Sequence, residues 1–181
     1  MLKKLKHTLH YYTLHNKLKH HNYIHRAVPM HEIKSVGILF DADEPKNELI
    51  IKKLMQQLQQ KNIRVEVLGY TPNLPKNRGA VIFDYFTDKE LNWQLVPRQS
   101  ILNGYAEKQF DVLLNLYTRQ LLPLEYISSL SKATFRIGRY IAEKDYYCDM
   151  MISLKDNDTL ESLIQQTLYY LNQINPQPQH A

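Results

Sequence analysis

The sequence predicts an α/β fold: a three-layer sandwich with a mainly parallel five- or six-stranded sheet, preceded by a basic N-terminal helix. Three observations carry that expectation. Short apolar runs of strand length alternate with helix-period segments along the body, which argues for strand–helix–strand crossovers and parallel pairing. The run at residues 35–40, SVGILF, is almost wholly apolar, as a strand covered on both faces should be. The first 34 residues hold seven Lys or Arg against one acid, Glu32, with no Gly and no Pro before Pro29.

The helix comes first. Leu2, Leu5, Leu9 and Tyr12 form one stripe, and at about 100° per residue Tyr11, Leu14 and Leu18 lie roughly opposite. A helix with two stripes cannot bury both against one flat body, so either it breaks or its halves touch different things. Pro29 should end it. After the strand at 35–40, Asp41, Asp43 and Glu44 precede Pro45, an acidic start for a helix whose apolar face is Leu49, Ile50, Leu54 and Leu58. Residues 63–68 (IRVEVL) alternate as a strand should, which completes a right-handed βαβ unit.

A turn-rich loop at 71–79 leads to a strand at 80–86, and residues 87–97, with the sole Trp93, suggest an extended lid-like segment. A short helix at 100–108, a central strand at 110–116, a short helix at 124–130 and strands at 133–138 and 149–154 follow. Asp158 is the expected cap of a last helix whose Leu160, Leu163, Ile164, Leu168 and Leu171 share a face. The chain thus divides into a basic, His-rich arm (1–31), one α/β domain (32–175) and a tail (176–181) expected to be disordered.

Composition and motifs exclude several function classes. At 44% hydrophobic and 23% charged the chain is globular rather than disordered, and no apolar run approaches the roughly 18 residues of a membrane span. The arm lacks the apolar core of a signal peptide and reads as part of a mature, cytoplasmic protein. A single Cys148 excludes a disulfide framework and fits a reducing compartment. The five glycines stand far apart, so neither a dinucleotide fingerprint nor a P-loop is present. Seven of the eight histidines lie in the arm, which leaves residues 32–175 without an imidazole base. With an unperturbed pKa of about 6.5, those arm histidines should raise its charge as pH falls.

Asp41 and Asp43, two apart at the end of an apolar strand, resemble the first motif of haloacid-dehalogenase-type phosphatases. That resemblance would make Asp41 the nucleophile and Asp43 the acid–base, with magnesium between them. No later acidic pair completes such a site, and acids at a helix N-terminus are also favoured by the helix dipole. Residues 110–138, with FDVLLNL and SKATFRIG, resemble the N-terminal half of heptosyltransferase-type glycosyltransferases, but too little chain follows for their second domain. The widest resemblance rests on LKKLK, VGILFD, ELNW, FDVLLNL and SKATFRIG together. It is to a family of small Bacteroidota proteins of unknown function, and implies a bacterial α/β protein with no site to transfer.

The leading functional expectation is a non-catalytic protein docked on RNA or a ribonucleoprotein, the ribosome included, through Lys3, Lys4, Lys6, Tyr11, Tyr12, Lys17, Lys19 and Arg26. Lysines release counterions from phosphates and flat rings stack on bases. The alternatives are an anionic membrane surface or acidic partner, and a small magnesium-dependent enzyme at the strand-end rim. That rim should gather Asp41, Asp43, Asn115, Thr118, Arg119, Gly138 and Arg139. No cofactor is expected, and metal binding by His21 and His25 at i, i+4 is the minor option.

Overall fold

The structure, a computed structural model, describes residues 2–73, 83–155 and 157–174. Six strands, β1 (Ser35–Asp41), β2 (Arg64–Tyr70), β3 (Asp84–Phe86), β4 (Val112–Leu116), β5 (Phe135–Arg139) and β6 (Met150–Ile152), form one sheet. Its order is β3-β2-β1-β4-β5-β6, and every pairing is parallel. Five helices accompany it: α1 (Leu2–Leu18), α2 (Pro45–Gln60), α3 (Gln99–Tyr105), α4 (Leu122–Ser129) and α5 (Leu160–Gln173). The expected α/β sandwich with its N-terminal helix is therefore present.

Burial explains the layers. β1 is buried along its whole length. Val36, Ile38 and Phe40 point into one core, filled from α2 by Ile51, Leu54 and Leu58 and from α5 by Leu163 and Leu171. Leu39 and Leu113 point into the other, filled by Leu14 of α1, Leu102 of α3 and Leu124 and Ile127 of α4. The second core crowds the sheet at Gly37, where a Cβ would lie 2.7 Å from the Phe110 ring, so only glycine fits.

The N-terminal segment is where expectation and structure part. α1 stops at Leu18, and residues 19–28 run as a strap whose His21, Tyr23 and His25 turn inward while Asn22, Ile24 and Arg26 turn outward. That two-residue period is incompatible with helix, and it is held at its far end where the Arg26 amide donates to the Thr134 carbonyl at 2.9 Å. Of the two stripes on α1, that of Tyr11, Leu14 and Leu18 faces the body. The arm is docked, not free.

Smaller differences have local causes. Thr159, not Asp158, caps α5, its Oγ1 accepting from the Ser162 amide, while Asp158 accepts from the Lys155 amide at 2.7 Å. Residues 87–97 form a 3-10 turn, capped by Thr87 and Glu90, and a tight turn closed between Leu91 and Pro97. Of the strand expected at 80–86, residues 84–86 are paired and 80–82 lie outside the described residues, as does the tail at 176–181.

The two stripes give a direct test. Leu14 is 1% exposed and Leu5 52% exposed. Leu14→Ala should cost about 2–4 kcal/mol in chemical denaturation, and Leu5→Ala under about 0.5 kcal/mol. Equal costs would contradict the docked orientation.

Candidate functional site

The sheet order places its switch point between β1 and β4, whose following loops diverge to opposite faces and open a crevice at the carboxyl edge. Asp41 ends β1 there, 4% exposed. Arg119, on the loop after β4, donates Nε to Asp41 Oδ2 at 2.5 Å and Nη2 to Asp41 Oδ1 and Asp43 Oδ2, both at 3.0 Å. The Asp43 amide also donates to Asp41 Oδ1 at 3.1 Å, and Asn47 Nδ2 donates to the Asp41 carbonyl at 2.9 Å, tying the first turn of α2 to the strand. Beside them Thr71 Oγ1 donates to Asp43 and the Tyr70 hydroxyl to Asp88. Burial, then the Asp88 carboxylate, raises the Tyr70 hydroxyl's pKa and keeps it protonated.

The remaining rim residues divide by depth. Thr118 is exposed, and its carbonyl accepts from Arg139 Nη1 at 3.1 Å. Asn115 lies below the rim, fully buried, its Nδ2 donating to the Ile137 carbonyl and to Cys148 Sγ. Gly138 packs against both, since a Cβ there would meet Cys148 Sγ at 2.8 Å and the Asn115 Cβ at 2.9 Å. Burial raises the Cys148 thiol far above its ordinary pKa, which leaves it an apolar packing group rather than a nucleophile.

This geometry limits what the rim can do. Both oxygens of Asp41 are engaged by one guanidinium, so in-line attack by Asp41 first requires a bidentate ion pair to open. Asp41, Asp43 and Glu44 also crowd the start of α2, where a dinucleotide fold would bind pyrophosphate. The strand order is that of nucleotide-binding sheets, and the charge at its first loop is opposite.

The second candidate surface is the docked arm. Tyr11 turns inward: its hydroxyl accepts from Gln120 Nε2 at 3.0 Å and from Lys144 Nζ at 2.5 Å. Lys144 in turn pairs with Glu125 at 2.6 Å, both side chains almost fully buried beneath α1. The Glu125–Lys144 pair was not among the sequence candidates. Its signal was a lone carboxylate in the apolar stretch 121–130, LLPLEYISSL, which needs a buried partner. His10 is buried too, its Nδ1 donating to the Gln94 carbonyl at 3.0 Å and its ring edge-on to Tyr126 at 5.3 Å.

Docking changes the arm's electrostatics from those expected. Burial lowers the His10 pKa to about 4. Burial, then the neighbouring Arg136, lowers His21 and His25 as well. His25 donates Nδ1 to the Ala133 carbonyl at 2.8 Å and stands 3.7 Å from Asp149, the bidentate partner of buried Arg136. Burial thus opposes protonation of all three, a correction to the steep rise in charge expected for all seven. The strap also removes the i, i+4 geometry of His21 and His25, because Tyr23 stands between them with ring centroids 6.4 and 5.2 Å away.

What faces outward is basic. Lys4, Lys17, Lys19 and Arg26 are exposed, Lys6 is half-buried, and none of these five forms an ion pair among the described residues. Lys3 lies in α1 with its side chain outside the described set. Tyr12 stands 66% exposed on the same outward side as Leu5. Trp93, 59% exposed, sits on the tight turn whose Gln94 carbonyl holds His10, so the fold brings an indole beside an arm that has none in sequence.

Residues 6–174 match the profile of a family of unknown function (DUF6913). No curated protein and no solved structure matches the chain. No helix among the described residues is long and apolar enough to cross a membrane.

The buried imidazole at position 10 sets a pH dependence. Its folded pKa of about 4 lies below the unfolded value of about 6.5, so the unfolded chain binds the proton first as pH falls. Stability present above pH ~6.5 should be lost progressively down to pH ~4, by up to about 3 kcal/mol. His10→Phe, compared with wild type by denaturation across that window, should lose correspondingly less. Superimposable pH profiles would mean His10 is not the group responsible.

Proposed function

The chain belongs to the DUF6913 family of unknown function, and we propose from its own geometry that it is a non-catalytic α/β protein that docks on RNA or a ribonucleoprotein particle through the outward side of α1 and the strap. One observation carries this reading: Lys4, Lys17, Lys19 and Arg26 stand exposed and outside any ion pair of the described residues, Lys17 with its ammonium 5.9 Å from the Tyr126 ring, on a segment whose inward side is fixed to the body. The 17 residues of α1 span about 25 Å at 1.5 Å per residue, which sets the cations out along a track rather than a point. A track of cations free of ion pairs suits a phosphate backbone, where each contact releases counterions. The fixed inward side supports the reading further, because little chain ordering is left to oppose binding. The reading carries with it a bacterial cytoplasmic setting, and it assigns the strand-end rim no reaction, since Arg119 already pairs with both candidate carboxylates.

A second reading, docking on an anionic membrane surface, is favoured by Trp93 and Leu5, both more than half exposed, the first on a turn held against α1 and the second between Lys4 and Lys6. Indole and leucine beside lysine are the side chains of an interfacial anchor.

The two are separated by salt and by lipid. Wild-type protein titrated into labelled RNA from 50 to 500 mM salt should show log affinity falling linearly with log salt. Replacing Lys4, Lys17, Lys19 and Arg26 with Gln should reduce that slope by about 3, at roughly 0.7–0.9 per phosphate contact. An unchanged slope, or no RNA binding at 50 mM, contradicts RNA docking. Arm-dependent flotation with anionic vesicles in that case selects the membrane.

A further inference from the structure

Beside the cationic track, α1 and α3 enclose a cleft of about 480 Å³, within the usual range of roughly 300–1,000 Å³ for small-molecule sites. Its floor is apolar: Leu102, Ala106 and Leu130 are all buried core residues. Its α1 wall carries Tyr12, Asn16 and Lys17, and His20 follows where the helix gives way to the strap. Residues three and four apart are neighbours on a helix surface, so Tyr12 and Thr13 with Asn16 and Lys17 one turn on form one continuous wall.

Three features select the occupant. The exposed Tyr12 ring offers a flat face at the mouth, and the apolar floor accepts a flat, weakly hydrated body. Lys17 and His20 supply donors beside it, while the one acid in the lining, Glu107, is already paired with Lys132 at 2.5 Å and does not repel an anion. His21 also lines the cleft, its side chain half-buried.

We propose that this cleft takes one unstacked base of single-stranded RNA, with the base against Tyr12 and the apolar floor and the adjoining phosphate at Lys17 and His20. The inference rests on the RNA-docking reading and sharpens it: the partner is single-stranded at the point of contact, because a paired and stacked base cannot enter. The cleft supplies strand preference and the outer cations supply most of the salt dependence.

The test uses the full chain, a labelled ten-nucleotide single strand and an RNA duplex of equal length, followed by fluorescence anisotropy at fixed salt. Wild type should bind the single strand roughly tenfold more tightly than the duplex, the scale of one base–aromatic stack. Tyr12→Ala should remove that preference, leaving duplex affinity and the salt slope unchanged. Asn16→Trp, which fills the cleft from a helix surface position, should do the same, and Leu5→Ala should change nothing. Equal binding of both RNAs by wild type, or wild-type affinity in Tyr12→Ala, overturns the cleft while salt-dependent binding leaves arm docking in place. No binding of either RNA at low salt overturns both.

Discussion

An all-parallel sheet buries both of its faces, and each face needs a complete helical cover. One face of this sheet has it from α2 and α5, 16 and 14 residues long. The other has only α3 and α4, seven and eight residues long. α1 completes that second layer, with Leu14 entering the same core as Leu39 and Leu113. The N-terminal segment is therefore a structural part of the domain. From this one requirement follow the orientation of the helix, the burial of His10 and the outward placement of the lysines.

The contact that seats α1 is unusually polar for a core boundary. Lys144 bridges the Glu125 carboxylate and the Tyr11 hydroxyl, and Gln120 reaches the same hydroxyl. Buried ion pairs give little net stability, since desolvation offsets attraction. Their demand for geometry is strict, however. A helix rotated by one residue would lose the Tyr11 contact and leave Lys144 and Glu125 without their cap. Polar contacts thus fix which stripe faces in, and apolar burial supplies the driving force. At the carboxyl edge the Asp41–Arg119–Asp43 cluster has an analogous role, fastening the first loop to the loop after β4 across the switch point.

Much of the fold was legible because the signals were local. The apolar run of β1, the amphipathic period of α2 and the alternation of β2 each specify an element without reference to the rest. The two stripes of α1 were equally visible, but the choice between them was not, because it depends on Lys144 and Glu125 more than a hundred residues away. The end of the helix at Leu18 was hidden for a related reason: His21, Tyr23 and His25 alternate inward, where His25 meets Ala133 and Asp149, a tertiary demand that overrides local propensity. At the rim, Asp41, Thr118, Arg119 and Arg139 were named from the rule that loops gather at strand ends. Asn115 carries the same polarity in sequence, yet its side chain lies a layer deeper, where polarity serves Cys148 and Ile137. The α1–α3 cleft could not be read at all, since it exists only where two separately encoded helices meet.

The central claim is that the outward side of a docked N-terminal helix is the proposed RNA-contacting surface, and not the crevice where folds of this strand order bind ligands. Photo-crosslinking of the protein to single-stranded RNA, with the linked residues mapped by mass spectrometry, tests it most directly. The account predicts crosslinks concentrated at Tyr12, Lys17, Lys19 and His20. Crosslinks concentrated instead at Thr118, Arg119 and Arg139 would contradict it.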